Sequence, residues 1–403
     1  MRRRNPHVAN LQGSYLFAEI NQRKAAFLEK NPCAELISLG IGDTTLPLPN
    51  SLTSSLQDQV SRLTDIATYE GYGPESGKMD LRLAIASTVY NNQITPEEVY
   101  ISDGSKPDIG RLQWLFPEQA SVAVQDPSYP VYIADSVISG KAGPFDTKTQ
   151  MYRHLTYMSC TKENDFFPLL NDTPAVDIIY FCNPNNPTGA AATRRQLEEL
   201  VDFARKNQSI IIYDSAYAPF IRDSSLPKSI YEIPGADEVA IESGSFSKVA
   251  GFTGVRLGWT VVPRTLKFSD GTPVYKDWEQ IVSTMFNGAS VISQAGGLAA
   301  LANLSELDAI ADQYLANAAM LKEMFEGAGY QVYGGRHAPY LWVDLEGESS
   351  WSAFDRMLED YHIITTPGVG FGKSGEGFLR LSAFAHHQSI SLVEERFAGI
   401  GIN

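Results

Sequence analysis

The middle of the chain repeats one pattern, a short and largely apolar run followed by a polar turn and a helical stretch. The runs are Val99–Ser102, Val122–Val124, Val176–Phe181, Ser209–Asp214 and Val239–Ile241. A strand with one wet face alternates apolar and polar residues. Ile210-Ile211-Ile212-Tyr213 does not alternate, so both of its faces must be covered. Strands of this kind alternating with helices predict an α/β fold built on a mostly parallel, doubly wound sheet. The helix after Val176–Phe181 is the best marked. Thr193-Arg194-Arg195-Gln196 reads as a capping box, and Leu197, Leu200, Val201 and Ala204 share one face.

The 403 residues are long for a single core, and the pattern changes along them. Residues 1–48 read as an arm packing with a small domain, with one short amphipathic helix near Leu16–Leu28 and a strand and turn over Ile37–Asp43. Residues 49–300 read as the large domain. Within it, helices are expected from Leu52 towards a turn at Tyr69–Gly77, from Met79 to Tyr90, and as one long helix with Asn287 near its middle. Residues 301–403 read as a smaller α/β domain. Its elements are a helix over 306–327, strands near Gln331–Tyr333 and Tyr340–Val343, a helix Trp351–Asp360, strands near Ile363–Thr365 and Phe378–Leu381, and a final helix.

A formal charge of -15 argues against a nucleic-acid partner. It still leaves room for a small cationic pocket inside an acidic shell. Cys33, Cys160 and Cys182 lack metal-ligand spacing and read as reduced cysteines of a cytoplasmic protein. Arg2-Arg3-Arg4 is not followed by an apolar stretch, and no apolar run is long enough to span a membrane.

The chemistry concentrates at the ends of the runs. Ser245-Phe246-Ser247-Lys248 sets an amine directly after two hydroxyls, with Arg256 one loop later. That is what a phosphate-bearing aldehyde cofactor needs: a lysine to bond the aldehyde, hydroxyls and a guanidinium for the phosphate. Gly104-Ser105-Lys106 opens a helix whose first N–H groups suit a phosphate. Asn183-Pro184-Asn185-Asn186-Pro187-Thr188-Gly189 uses prolines to turn an amide inward. Asp214 ends a buried strand, where α/β proteins place ligand groups, and Tyr217 follows three residues on. Gly370-Phe371-Gly372-Lys373-Ser374-Gly375 matches a dinucleotide fingerprint, but a strand follows it instead of a helix. His386-His387 has no identifiable partners, and no metal site is expected.

With these residues in order, the chain resembles the fold type I pyridoxal-phosphate aminotransferases of class I/II. The match runs from Gly13-Ser14-Tyr15-Leu16 through Arg256 to Arg380, and it extends to the members that work on LL-diaminopimelate. The resemblance implies pyridoxal 5′-phosphate as cofactor, with Lys248, Asp214 and Tyr217 as catalytic residues. It implies cofactor contacts from Tyr72, Ser105, Lys106, Tyr129, Asn186, Ser245, Ser247, Arg256 and Asn287. Tyr15, Gly42, Glu75, Lys106, Tyr129, Asn186, Asn287 and Arg380 are implied on the substrate side. Arg380 takes the α-carboxylate, Lys106 a distal carboxylate and Glu75 a distal ammonium. Tyr72 and Glu75 come from a partner in a homodimer with shared sites. The reaction implied interconverts LL-diaminopimelate plus 2-oxoglutarate and tetrahydrodipicolinate plus glutamate, in lysine and peptidoglycan precursor synthesis. A general aromatic, alanine or aspartate aminotransferase, or a pyridoxal-phosphate lyase, uses the same core.

Overall fold

The computed structural model describes residues 2–12 and 15–399. Seven strands form the principal sheet: Val99–Ser102 (β1), Val122–Asp126 (β2), Leu155–Ser159 (β3), Ile178–Cys182 (β4), Ile210–Asp214 (β5), Ala240–Ser245 (β6) and Gly258–Val261 (β7). Their spatial order is β1-β7-β6-β5-β4-β2-β3, and β7 alone runs antiparallel to its neighbours. Strands β4 and β5 are buried at every residue, as the apolar runs Ile178–Cys182 and Ile210–Tyr213 require. The helix Arg194–Asn207 opens with the expected capping box on Thr193 and buries Leu197, Leu200, Val201 and Ala204.

A second sheet follows, made of Gln331–Gly334 (β8), Tyr340–Asp344 (β9), Thr366–Pro367 (β10) and Phe378–Ser382 (β11), antiparallel throughout in the order β8-β9-β11-β10. The N-terminal segment packs with it. Ile37–Ser38 pairs in parallel with Ile363–Ile364, and Leu16, Ile20 and Phe27 share a core with Leu341, Val343 and Phe354.

Three features differ from the sequence reading. The long helix is two helices, Val274–Met285 and Val291–Ala302. Asn287 at φ 64° and Gly288 at φ 92° are left-handed and cannot continue a helix, and Ser290 caps the second one. The helix from Asn50 stops at Arg62, leaving the approach to Tyr69–Gly77 irregular. Strand β3 and the helix Val131–Ile138 carry no strong signal: β3 is an edge strand with mixed burial, and the helix has eight residues. Among the described residues no helix is long and apolar enough to cross a membrane.

Candidate active site

Strand register brings the polar run-ends together. Ser102, Gly258 and Ser245 lie level across β1, β7 and β6, and Cys182, Asp214 and Ser243 lie level across β4, β5 and β6. Because β7 is antiparallel, it starts where its neighbours end, which delivers Arg256 to the same edge. A cavity of about 310 Å³ opens there. It is lined by Gly42, Ser105, Lys106, Tyr129, Asn186, Asp214, Tyr217, Ser245, Ser247, Lys248, Arg256 and Arg380, all of them named from the sequence.

One end of the cavity gathers hydroxyls, backbone N–H groups and a guanidinium. The helix Ser105–Leu112 begins there with no side-chain cap, so its first N–H groups stay free for a ligand. Gly104 before it sits at φ 130°, and a Cβ on it would run into the Arg256 guanidinium. Ser243 Oγ donates to Ser105 Oγ at 2.9 Å, Ser247 N–H donates to Ser245 Oγ at 3.1 Å, and Arg256 Nη1 donates to Ser247 Oγ at 3.1 Å.

At the centre, Lys248 Nζ donates to the Gly42 carbonyl. Burial pushes its ammonium down to about 8; Arg380 and Arg256 add to that, and Asp43 and Asp214 oppose it. Burial also pushes the Asp214 carboxyl up, and three groups draw it back. Tyr132 Oη donates to Oδ2 at 2.7 Å, Ala216 N–H donates to Oδ1 at 3.0 Å, and the Lys248 charge lies nearby. Tyr132 is absent from the sequence reading. It stacks on Tyr180 with centroids 5.0 Å apart, three residues after Tyr129. That i, i+3 spacing behind Pro130 is the one signal that could have found it.

The far wall holds Arg380 on β11. Its Nη1 donates to Asn186 Oδ1 at 2.8 Å and its Nη2 to the Gly40 carbonyl at 2.6 Å, while the buried Nε has no partner. The rings of Tyr340 and Phe371 each lie 4.6 Å from its guanidinium. Tyr340 also meets Tyr217 hydroxyl to hydroxyl at 2.8 Å, and a Cβ on Gly42 would strike that Tyr340 hydroxyl. Tyr340 too is a site residue that no local motif announces.

Lys248, Arg256 and Arg380 make all these hydrogen bonds to neutral oxygens. Three cations facing one buried carboxylate make a site that seeks anions. A ligand with a phosphate at one end and carboxylates at the other fits that charge pattern.

Three expected residues are not brought to the cavity within this chain. Tyr72 is 90% exposed, Glu75 and Asn287 are also exposed, and none of the three lines the cavity. Glu75 instead borders a separate open cleft with Tyr100 and Glu279. Gly13, Ser14 and the side chain of Tyr15 lie outside the described residues.

The profile of the family "Aminotransferase class I and II" matches residues 34–392. The chain belongs to the class I and II aminotransferases. This aminotransferase is 55% identical over 398 residues to the LL-diaminopimelate aminotransferase of Protochlamydia amoebophila, covering 98% of this chain and 97% of that one. It is 53% identical over 397 residues to the chloroplastic enzyme of the same name from Arabidopsis thaliana, covering 98% of this chain and 86% of that one. The solved L,L-diaminopimelate aminotransferase of Chlamydomonas reinhardtii superposes with a TM-score of 0.94 at 52% identity, covering 99% of this chain and 98% of that one. Fold type I is therefore the aminotransferase's architecture, and its family implies dependence on pyridoxal phosphate and action on amino and keto acids. The chloroplastic relatives show that such membership does not fix a compartment.

Proposed function

We propose that this aminotransferase interconverts LL-diaminopimelate plus 2-oxoglutarate and tetrahydrodipicolinate plus glutamate, with Lys248 as the central catalytic residue. The single observation that carries the reading is the convergence of Lys248, Asp214 and Arg380 on one cavity of phosphate- and carboxylate-seeking groups, in a chain 52–55% identical to proteins of that name. We also divide the chain at residues 48 and 300, a division supported by the separate sheets and by the N-terminal segment's pairing with Ile363–Ile364.

Ser105, Ser245, Ser247, Arg256 and the first N–H groups of the helix Ser105–Leu112 would hold the phosphate of pyridoxal 5′-phosphate. Asp214 would face its ring nitrogen, Asn186 and Tyr217 its ring oxygen, and Tyr129 its ring face. When bound, the cofactor supplies a carbon to carry the amino group and a ring to accept the electron pair left on the substrate α-carbon. The protein supplies the rest. Asp214, whose carboxylate form Tyr132 and Ala216 favour against the effect of burial, would stabilise a proton on the group opposite it. Lys248, with its ammonium brought down to about 8, moves a proton at the substrate α-carbon near neutral pH. Arg380 holds the α-carboxylate by a planar fork, which a lysine could not reproduce. Lys106, at the cavity wall, takes the distal carboxylate.

The remaining groups are read as coming from a second copy. Ile66, Tyr69, Tyr72, Met79, Leu83 and Met285, near Glu75 and Asn287 in the chain, leave apolar surface exposed, which supports a homodimer whose partner completes each site. Turnover of LL-diaminopimelate with 2-oxoglutarate, read by trapping the cyclised product, tests the proposal. The meso isomer, aspartate, alanine and tyrosine serve as competing donors. Preference for the LL isomer is expected. Turnover of the ordinary amino acids alone would favour a general aminotransferase.

A further inference from the structure

The run Gly370-Phe371-Gly372-Lys373-Ser374-Gly375, which mimics a dinucleotide fingerprint, forms two short turns, Gly368–Phe371 and Lys373–Gly375, joined at Gly372. Gly372 sits at φ 134°, and a Cβ there would run into the Asp126 carboxylate. On both sides of that glycine the loop is tied to one segment at the carboxyl end of β2. The Phe371 carbonyl accepts from Ser128 N–H at 2.9 Å. Ser374 N–H donates to both Asp126 oxygens at 3.2 Å, and its hydroxyl donates to Oδ2 at 3.0 Å. Asp126 is buried, so this carboxylate exchanges water for the donors of a single loop residue. Tyr129, one residue past Ser128, lines the cavity, and Phe371 lies against Arg380. The same short segment thus carries one wall of the site and, through the loop, the ring that packs on the opposite wall's arginine.

We infer that Asp126 and Ser374 form a clamp that fixes the Arg380 guanidinium for the substrate carboxylate by holding Phe371 against it. The inference rests on the reading of Arg380 as the α-carboxylate group. Asp126 and Ser374 are positioning residues, and the clamp acts equally on the amino and the keto acid because both carry that carboxylate. A cation held by polar contacts at two nitrogens needs its faces packed to keep the fork aimed, much as metal ligands need outer partners, whose loss costs about ten- to a hundredfold.

The test uses the pyridoxal-phosphate-loaded enzyme and the variants Asp126→Ala, Asp126→Asn and Phe371→Leu. Measured are kcat, KM for both substrates, cofactor affinity, and the Kd of 2-oxoglutarate by calorimetry. Asp126→Ala is expected to raise both KM values and the Kd about tenfold, with kcat and cofactor affinity nearly unchanged. Asn, which keeps an acceptor for the Ser374 N–H, restores most of the loss, and Phe371→Leu reproduces it with the clamp intact. An unchanged Kd in folded Asp126→Ala overturns the inference, as does a loss confined to kcat or cofactor affinity. Should Asp126→Ala fail to fold, Ser374→Ala removes only the hydroxyl and is read in the same way: a raised Kd supports the clamp and an unchanged one overturns it. The ratio of variant to parent Kd does not involve the amino donor. A wrong substrate reading would therefore show in the parent's turnover and a wrong clamp in that ratio.

Discussion

The carboxyl edge of the principal sheet and the surface around residues 66–83 are built on opposite plans. At the sheet edge, Asp214 and Ser245 are buried polar groups, each hydrogen-bonded to a residue of the turn that follows its strand, and Arg380 faces them from β11 of the second sheet. Around residues 66–83, Ile66 is 98% exposed and Tyr72 90%, and the chain between Arg62 and Met79 is irregular. Polar groups point inward in the first region and apolar ones outward in the second. The first is complete in one chain; the second presents what a second chain would use. On the homodimer reading proposed above, the site would keep its reactive groups rigid on one subunit and take its outer contacts from another.

The largest effect should come from the rigid region. Lys248→Ala is expected to lower turnover by about 10²–10⁴-fold or more, with the fold intact by circular dichroism, since the amine proposed to move the proton is gone. Wild-type-like turnover would remove Lys248 from the centre of the account. Next comes the division between chains. Tyr72→Ala and Lys248→Ala are each expected to be weak enzymes, and co-expressing them should restore activity, because a mixed dimer has one site with both residues intact. Additive activity without restoration would place Tyr72 and Lys248 on the same chain's site, or Tyr72 outside it.

A pH series sharpens the contrast within the rigid region. Only the neutral amine of Lys248 can attack the cofactor aldehyde, and burial brings its ammonium down to about 8 from 10.5. Uptake of pyridoxal phosphate by the cofactor-free protein, followed by visible absorbance, should therefore slow about tenfold per pH unit below that value and level off above it. A midpoint near 10.5 would mean that the lysine is not buried as described. The smallest effect lies away from both regions. Thr193→Ala removes the cap of the helix Arg194–Asn207 and should cost about 1 kcal/mol in denaturant unfolding, with kcat and KM unchanged.

How much of this was legible in the sequence follows from how local each cause is. Ser245, Ser247, Lys248 and Asp214 could be read because a strand's end and its turn place them directly. Asn186 is set by the prolines beside it. Tyr132 and Tyr340 act as partners of Asp214 and Tyr217 only because two sheets and a helix meet, and no short motif encodes that meeting. The break at Asn287 is a different kind of miss. Asn-Gly is itself a turn signal, outweighed in a sequence reading by the apolar periodicity on either side. A strand follows the fingerprint-like loop, as read from the sequence, yet the loop's contact with Asp126 spans 248 residues and needed the structure.

The most direct test of the central claim is a single-turnover measurement. The pyridoxal-phosphate-loaded enzyme is mixed with LL-diaminopimelate or with its meso isomer, keto acid being withheld, and the cofactor's visible band is followed. The account predicts rapid loss of the band with the LL isomer, its return on adding 2-oxoglutarate, and little change with the meso isomer or with Lys248→Ala. Loss of the band with aspartate, alanine or tyrosine but not with LL-diaminopimelate would contradict it.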